Sequence, residues 1–269
     1  MRIHAGFEVT WTCPVPVPML LTLSVHPSRR DDLETPDWLR TDPMLDVRQY
    51  IDNFGNICSR IVAPAGQCKL SADFIIRDSG LVDERAPDAP QIPVEDLPDD
   101  VLVYLMGSRY CETDRLSEIA WSLFGGTQPG WPRAQAIIDF VHEHIKFGYQ
   151  HARSTKGAFE AFEERLGVCR DYAHLAVAFC RCMNIPARYC TGYLGDFDVP
   201  LVLPMDFSAW FEVYLGGRWY TMDARNHKPR KGRVLMARGR DATDVAISNT
   251  FGPALFSDFL VISDELPDA

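Results

Sequence analysis

The sequence contains no run of the roughly 18–20 uninterrupted apolar residues that a membrane-spanning helix requires. Its best stretch, Met19 to Val25, is far shorter and follows the proline-rich approach Pro14, Pro16 and Pro18. The opening residues, Met1 to Glu8, mix charged and polar side chains where a secretory leader would carry its apolar segment, so the chain reads as cytoplasmic. Its eight cysteines form no CxxC pair and no regular framework, which argues against a zinc site or a disulfide scaffold and leaves the thiols reduced. A basic excess is also missing. The formal net charge of −10 argues against a nucleic-acid binder, whose phosphate footprint must be positive, and against a polybasic membrane anchor. No repeat or phosphate-binding glycine loop is present, since Gly232 and Gly239 fall outside any P-loop spacing. The sequence implies no metal and no cofactor.

What is present is an ordinary globular composition, 46% hydrophobic and 24% charged over 269 residues, enough to bury a core without staples. The first 82 residues read as a small β-sandwich-like domain. Ile3 to Trp11, Met19 to Val25, Ile57 to Val62 and Cys68 to Ile76 are β-branched or aromatic-rich and are separated by turns at Gly55-Asn56 and Pro64-Ala65-Gly66. Residues 83–100 hold four prolines and seven acids against the single base Arg85, which predicts an extended, self-repelling linker. Residues 101–269 then form the second domain. Helical spacing returns there over Ser117 to Phe124 and Arg133 to Ile145, and His142 and His144 on the latter, two apart, point to different sides as solvated or capping groups rather than metal ligands.

Gly167-Val168-Cys169-Arg170-Asp171-Tyr172-Ala173-His174 opens a segment that is small and apolar nearly all round from Ala173, the pattern of a buried helix stopped by Asn184 and Pro186. Cys169 falls in its first turn, where free N–H groups and the positive helix end favour thiolate and could stabilise an oxyanion. The competing reading is an inert packed thiol. Further on, Phe207 to Leu215 alternates, Gly216-Gly217 supplies a two-residue turn, and Arg218 to Asp223 returns. A two-residue turn pairs positions that sum to 433, which puts Asp223 and Ser208 on one face as diagonal neighbours.

These segments, with Asn184 to Tyr189 and Asp223-Ala224-Arg225, resemble bacterial proteins of the transglutaminase-like superfamily, and Phe54-Gly55-Asn56 resembles the β-rich domain that often precedes that core. The resemblance implies an α+β, papain-related core in which a central helix packs on an antiparallel sheet. It implies a Cys-His-Asp triad acting on a peptide or protein amide: a thiolate attacks the carbonyl, an imidazole protonates the leaving amine, and an acyl-enzyme passes to water or another amine. Cys169 matches the nucleophile and Asp223 the orienting acid, and Ser208 and Trp210 are expected as walls of the site. The histidine is replaced: where the pattern has His-Ala-Trp, this chain has Ser208-Ala209-Trp210, and a hydroxyl cannot shuttle a proton at neutral pH. His227 has the parity to substitute if the strand continues, although Asn226 and Pro229 favour a loop; His174, five residues beyond Cys169, turns away from it. Arg225, Lys228 and Arg230 begin a run of seven bases without an acid up to Arg240, read either as partners for the protein's own carboxylates or as an entrance attracting an acidic substrate. Two functions follow: a cysteine hydrolase or acyltransferase, or a catalytically degenerate copy of that fold serving as a binding or assembly module.

Overall fold

Alternation decides the N-terminal half. In β1 (Arg2–Cys13) the side chains Ile3, Ala5, Phe7, Val9, Trp11 and Cys13 are all buried, and in β6 (Gly66–Arg77) Cys68, Leu70, Ala72, Phe74 and Ile76 answer them across an antiparallel register running from Arg2↔Arg77 to Cys13↔Gly66. A computed structural model describes residues 1–200 and 205–267. One sheet orders β14 (Leu255–Leu266), β1, β6 and β3 (Arg40–Asp42); a second orders β13 (Ser248–Thr250), β2 (Val17–Leu21), β5 (Ile57–Ala63) and β4 (Arg48–Ile51). Their inward residues share one apolar cluster.

The second half is a four-stranded antiparallel sheet ordered β11 (Arg218–Met222), β10 (Ser208–Leu215), β9 (Ala187–Leu194) and β12 (Arg233–Gly239). The two-residue turn is as expected: Gly216 and Gly217 take φ of 55° and 88°, a conformation open to glycine, and Phe211↔Met222 to Leu215↔Arg218 pair in the predicted register. Gly192 in β9 is needed for a different reason, since a Cβ there would lie 2.1 Å from the carbonyl oxygen of Val234 on β12.

On one face of this sheet lies α5 (Cys169–Cys182), buried along nearly its whole length and surrounded by α2 (Thr113–Phe124), α3 (Trp131–His144) and α4 (Ala158–Glu164). Phe179 at its centre meets the rings of Phe124, Phe140 and Phe162 at 5.3, 5.8 and 6.0 Å. Burying such a side chain stabilises by about 1.5–3 kcal/mol, so these contacts outweigh the indifferent helix propensity of the segment. Asn184, at φ 60°, ends the helix. Short pieces complete this side: α1 (Asp99–Leu102) and the two-residue parallel pair β7 (Lys146–Phe147) and β8 (Leu166–Gly167).

The other face of the sheet is covered by the N-terminal sheets. Tyr193, Phe207, Val234 and Met236 belong to the same apolar cluster as β1, β2, β5 and β6. The α+β architecture is therefore layered, with the central sheet sandwiched between α5 and the β-rich region.

Strand pairing redraws the expected limits at 83–100 and 101–269. β14 and β13 come from the end of the chain and pair with β1 and β2, because β1 and β2 would otherwise expose ladder edges. Residues 201–204 and 268–269 of the expected second domain lie outside the described residues. The acidic segment is a docked strap rather than a free linker: the Asp83 carboxylate accepts from Arg233, Ala89 O accepts from Trp131 N at 3.0 Å, and Pro90 O accepts from Gly216 N at 2.9 Å. Replacing Asp83 by Ala should lower stability by about 2–3 kcal/mol in urea unfolding, the worth of hydrogen bonds to a charged group. Asp100→Ala, at an exposed site, should stay within about 0.5 kcal/mol; equal effects of the two would show that the strap is not docked.

Candidate active site

The N-terminus of α5 is set by its neighbours in sequence. Asp171 reaches back to accept the Val168 N–H at 2.8 Å, closing the first turn, and packs so closely over Gly167 that a Cβ there would meet its carboxylate at 2.7 Å. Cys169 therefore begins the helix. Of the eight cysteines, all free, seven are buried and Cys169 is half-buried. It lines a cleft of about 500 Å³ together with His142, Tyr149, Asp206, Ser208, Arg225, Asn226 and Lys228.

The backbone N–H of Ala209 and the Arg225 charge both act to lower the Cys169 thiol pKa. Burial acts more strongly in the other direction, and Asp206 adds to it. The thiol is pushed up to about 11, against the depression expected from the helix end. The reason is one of magnitude: a helix terminus contributes about 0.3–1 kcal/mol, less than withdrawing a thiolate from water beside a carboxyl group costs.

β10 divides its side chains between the two faces. Ala209 packs with Cys169 and Ala173, and Phe211, Val213 and Leu215 face α5. Trp210 points the other way, beneath the Arg233 guanidinium at 5.1 Å from its ring, so it backs the sheet and does not line the Cys169 cleft as expected. Ser208, at the strand's first position, does line it.

Asp223 follows the last residue of β11 and lies in a tight turn. Its Oδ1 accepts the Asn226 N–H at 2.8 Å; its Oδ2 accepts Asn226 Nδ2 at 2.7 Å and Arg233 Nη2 at 3.0 Å. Burial raises its pKa, but Arg233 and Asn226 outweigh it and hold the carboxyl below its usual range. The expected orienting acid thus has a carboxamide and a guanidinium as partners, and of the two bonded residues Asn226, not Asp223, lines the cleft.

His227 does not join them. β11 ends at Met222, the chain turns so that His227 N donates to Asp223 O, and φ at His227 is 57°. Strand parity no longer applies beyond the break. The ring instead stacks on His142, with centroids 4.3 Å apart, and Nε2 lies 2.8 Å from Asp139. His142 is the histidine that lines the cleft; its Nδ1 lies 3.0 Å from Ala224 O, and because a carbonyl only accepts, Nδ1 carries the proton of the neutral ring. His144 bonds Phe162 O at 2.7 Å, as a packed helix-end group.

The basic run divides. Arg230 lines the cleft, but its guanidinium is committed to Gly195 O, Asp196 and Asn226, which removes it from the expected substrate-attracting set. Lys231, Arg233 and Arg240 pair with Asp198, Asp83 and Asp244 respectively. Arg225, over the Phe147 ring at 4.4 Å, and Lys228 remain on the cleft. Among the described residues, no group of three His, Cys, Asp or Glu could hold a metal ion. Residue-level reading missed Asp206 and Asn226. The signal for Asp206 was its place two residues before the expected histidine position; Asn226 needed the turn geometry.

With this geometry in hand, the class is defined: a helix-borne cysteine against an antiparallel sheet, the layout of the transglutaminase-like superfamily. The family model described as transglutaminase-like superfamily matches residues 118–224, which include Cys169, Ser208 and Asp223. A solved structure named a "putative cysteine protease" from Cytophaga hutchinsonii is 30% identical, covers 100% of this chain and 92% of its own, and superposes with a TM-score of 0.89. The chain belongs to the transglutaminase-like superfamily. An uncharacterized protein of Mycobacterium leprae is 34% identical over 90 residues, 32% of each chain. One of Mycobacterium tuberculosis (strain H37Rv) is 31% identical over 146 residues, 49% of this chain and 46% of its own. The chain thus spans less than half the length of these two relatives.

His174 behaves as a core group. It is fully buried, its Nε2 accepts Ala242 N at 3.1 Å, and it stacks on Tyr110. Burial holds its pKa well below the ordinary value of 6.5. The native ring stays neutral while the unfolded one takes a proton below pH 6.5, so stability is lost as pH falls from there, at about 1.4 kcal/mol per pH unit for one proton. His174→Gln should flatten the stability-versus-pH curve between pH 6.5 and 4.5 by about one proton. An unchanged slope in urea titrations would place the acid sensitivity elsewhere.

Proposed function

We propose that this protein is a cysteine hydrolase or acyltransferase acting on a peptide or side-chain amide, with Cys169 as the nucleophile. The observation that carries this reading is the placing of Cys169: the one half-buried cysteine, at the first residue of α5, opening into a cleft of about 500 Å³. The backbone N–H groups of a helix start in that place also suit the oxygen of a carbonyl under attack. Arg225 and Lys228 would attract a substrate carrying a carboxylate near the scissile amide.

A second reading, a binding module that keeps the fold, draws support from Ser208 and from the closure of Asp223 onto Asn226 and Arg233. A glutamine-containing peptide incubated with hydroxylamine separates the two. Under the enzymatic reading, hydroxamate forms slowly with the wild type and falls to the buffer rate in Cys169→Ser. Equal rates in both proteins sink it. Ser208→His should raise turnover by about 10²-fold or more in an enzyme, the usual worth of a positioned acid–base group. A gain from a parent with no turnover at all identifies the native protein as the binding module.

A further inference from the structure

Position 208, where the resemblance expects a histidine, carries a serine, and a neighbouring side chain is placed to do that work. Phe207 is drawn into the N-terminal core, its ring 6.0 Å from Phe7 and 5.2 Å from Tyr193, and its two neighbours, Asp206 and Ser208, both line the Cys169 cleft. We propose that Asp206 is the catalytic proton carrier of this cleft, serving Cys169 in place of a histidine at position 208. The inference rests on the acyl-transfer reading above.

The chemistry balances without a co-reactant. As the sulfur forms its bond to the amide carbon, the S–H bond breaks and the proton passes to the Asp206 carboxylate. When the tetrahedral intermediate collapses, the C–N bond breaks and Asp206 returns that proton to the departing amine nitrogen. In the second half, Asp206 takes a proton from the attacking water, the C–S bond breaks, and the proton goes back to sulfur as the acid leaves.

The surroundings suit a group that must hold and release a proton near neutrality. Burial pushes the Asp206 carboxyl up to about 6, while the Phe207 N–H and Arg225 pull it part of the way back. The titratable and charged groups that line the cleft with it are Cys169 and Tyr172 on α5, Tyr149 from the turn after β7, Asp196 from the turn after β9, Arg225, Lys228 and Arg230 after β11, and His142 on α3. Cys169 and Tyr149 both register the Asp206 charge, which raises each of them. His142 lines the same cleft with its Nδ1 held by Ala224 O and its ring stacked on His227.

The test uses p-nitrophenyl acetate on the full chain, with the acetyl adduct on Cys169 followed by intact mass and Cys169→Ser as the blank. In the wild type, hydrolysis of the adduct should rise with pH through about 6 and then level. In Asp206→Asn, hydrolysis should fall about 10²-fold and lose that limb, so the adduct accumulates. Iodoacetamide alkylation of Cys169 in the same variant should become faster, because a negative neighbour has gone. These opposite signs distinguish proton carriage from a purely electrostatic role, and Asp206→Glu, which keeps the carboxyl, should retain the limb. An adduct that forms normally but hydrolyses as fast in Asp206→Asn overturns the assignment of Asp206 alone. A wild type that forms no Cys169 adduct removes the acyl-transfer reading, and this one with it.

Discussion

The arrangement of the cleft depends on one buried cation. Arg233 lies at the start of β12 between two carboxylates, Asp223 at the end of β11 and Asp83 on the acidic strap, with Trp210 beneath it. Burying a guanidinium costs several kcal/mol unless partners surround it, so the cation and its two acids are bound together: loss of either acid leaves the guanidinium half-paired, and loss of Arg233 leaves both acids without their cation. That requirement fixes the turn after Asp223. It thereby places Arg225 and Asn226 on the cleft and swings His227 outward onto α3. A local electrostatic constraint decides which side chains reach Cys169.

The same accounting governs the thiol. A helix N-terminus and a backbone donor favour thiolate, but the sulfur sits beside a carboxyl group in a cleft walled by Phe147, Leu194 and Phe207. Desolvation dominates, and the resting group is the thiol. Cysteine chemistry at such a position requires proton transfer coupled to bond formation, because little preformed thiolate exists to attack. Under the proposed chemistry the neighbouring carboxyl and the serine at 208 are two parts of one problem, since that chemistry has to move a proton.

The β-rich half is more than an appendage. Its two sheets cover the face of the central sheet that α5 leaves open, and β13 and β14 return from the far end of the chain to complete them. Phe207, immediately before β10, is anchored in that shared core by aromatic contacts to Phe7, Tyr193 and Phe259. The N-terminal region therefore helps position the segment that carries Asp206 and Ser208.

Local patterns were sufficient where one physical signal dominated. β-Branched and aromatic runs bounded by turns named β1, β5 and β6; the all-round apolar run and Asn184 delimited α5; Gly216-Gly217 fixed the hairpin register; and the serine at 208 announced the departure in the site. The superfamily was legible from the same stretches. Other features depended on residues distant in sequence, whose meeting no periodicity encodes. Asp83 is drawn to Arg233 across 150 positions, which turns a would-be linker into a strap. β14 crosses the whole chain to pair with β1. Strand parity failed at His227 because the turn at Asp223 is held by a buried ion pair, and helix-end reasoning failed for the Cys169 thiol because burial depends on what the fold packs around it. The sequence by itself determined those strands, helices and the hairpin, the family, and the place of Cys169 on its helix. Only the tertiary structure decided what surrounds that sulfur, since desolvation and buried charge pairing are properties of the assembled core.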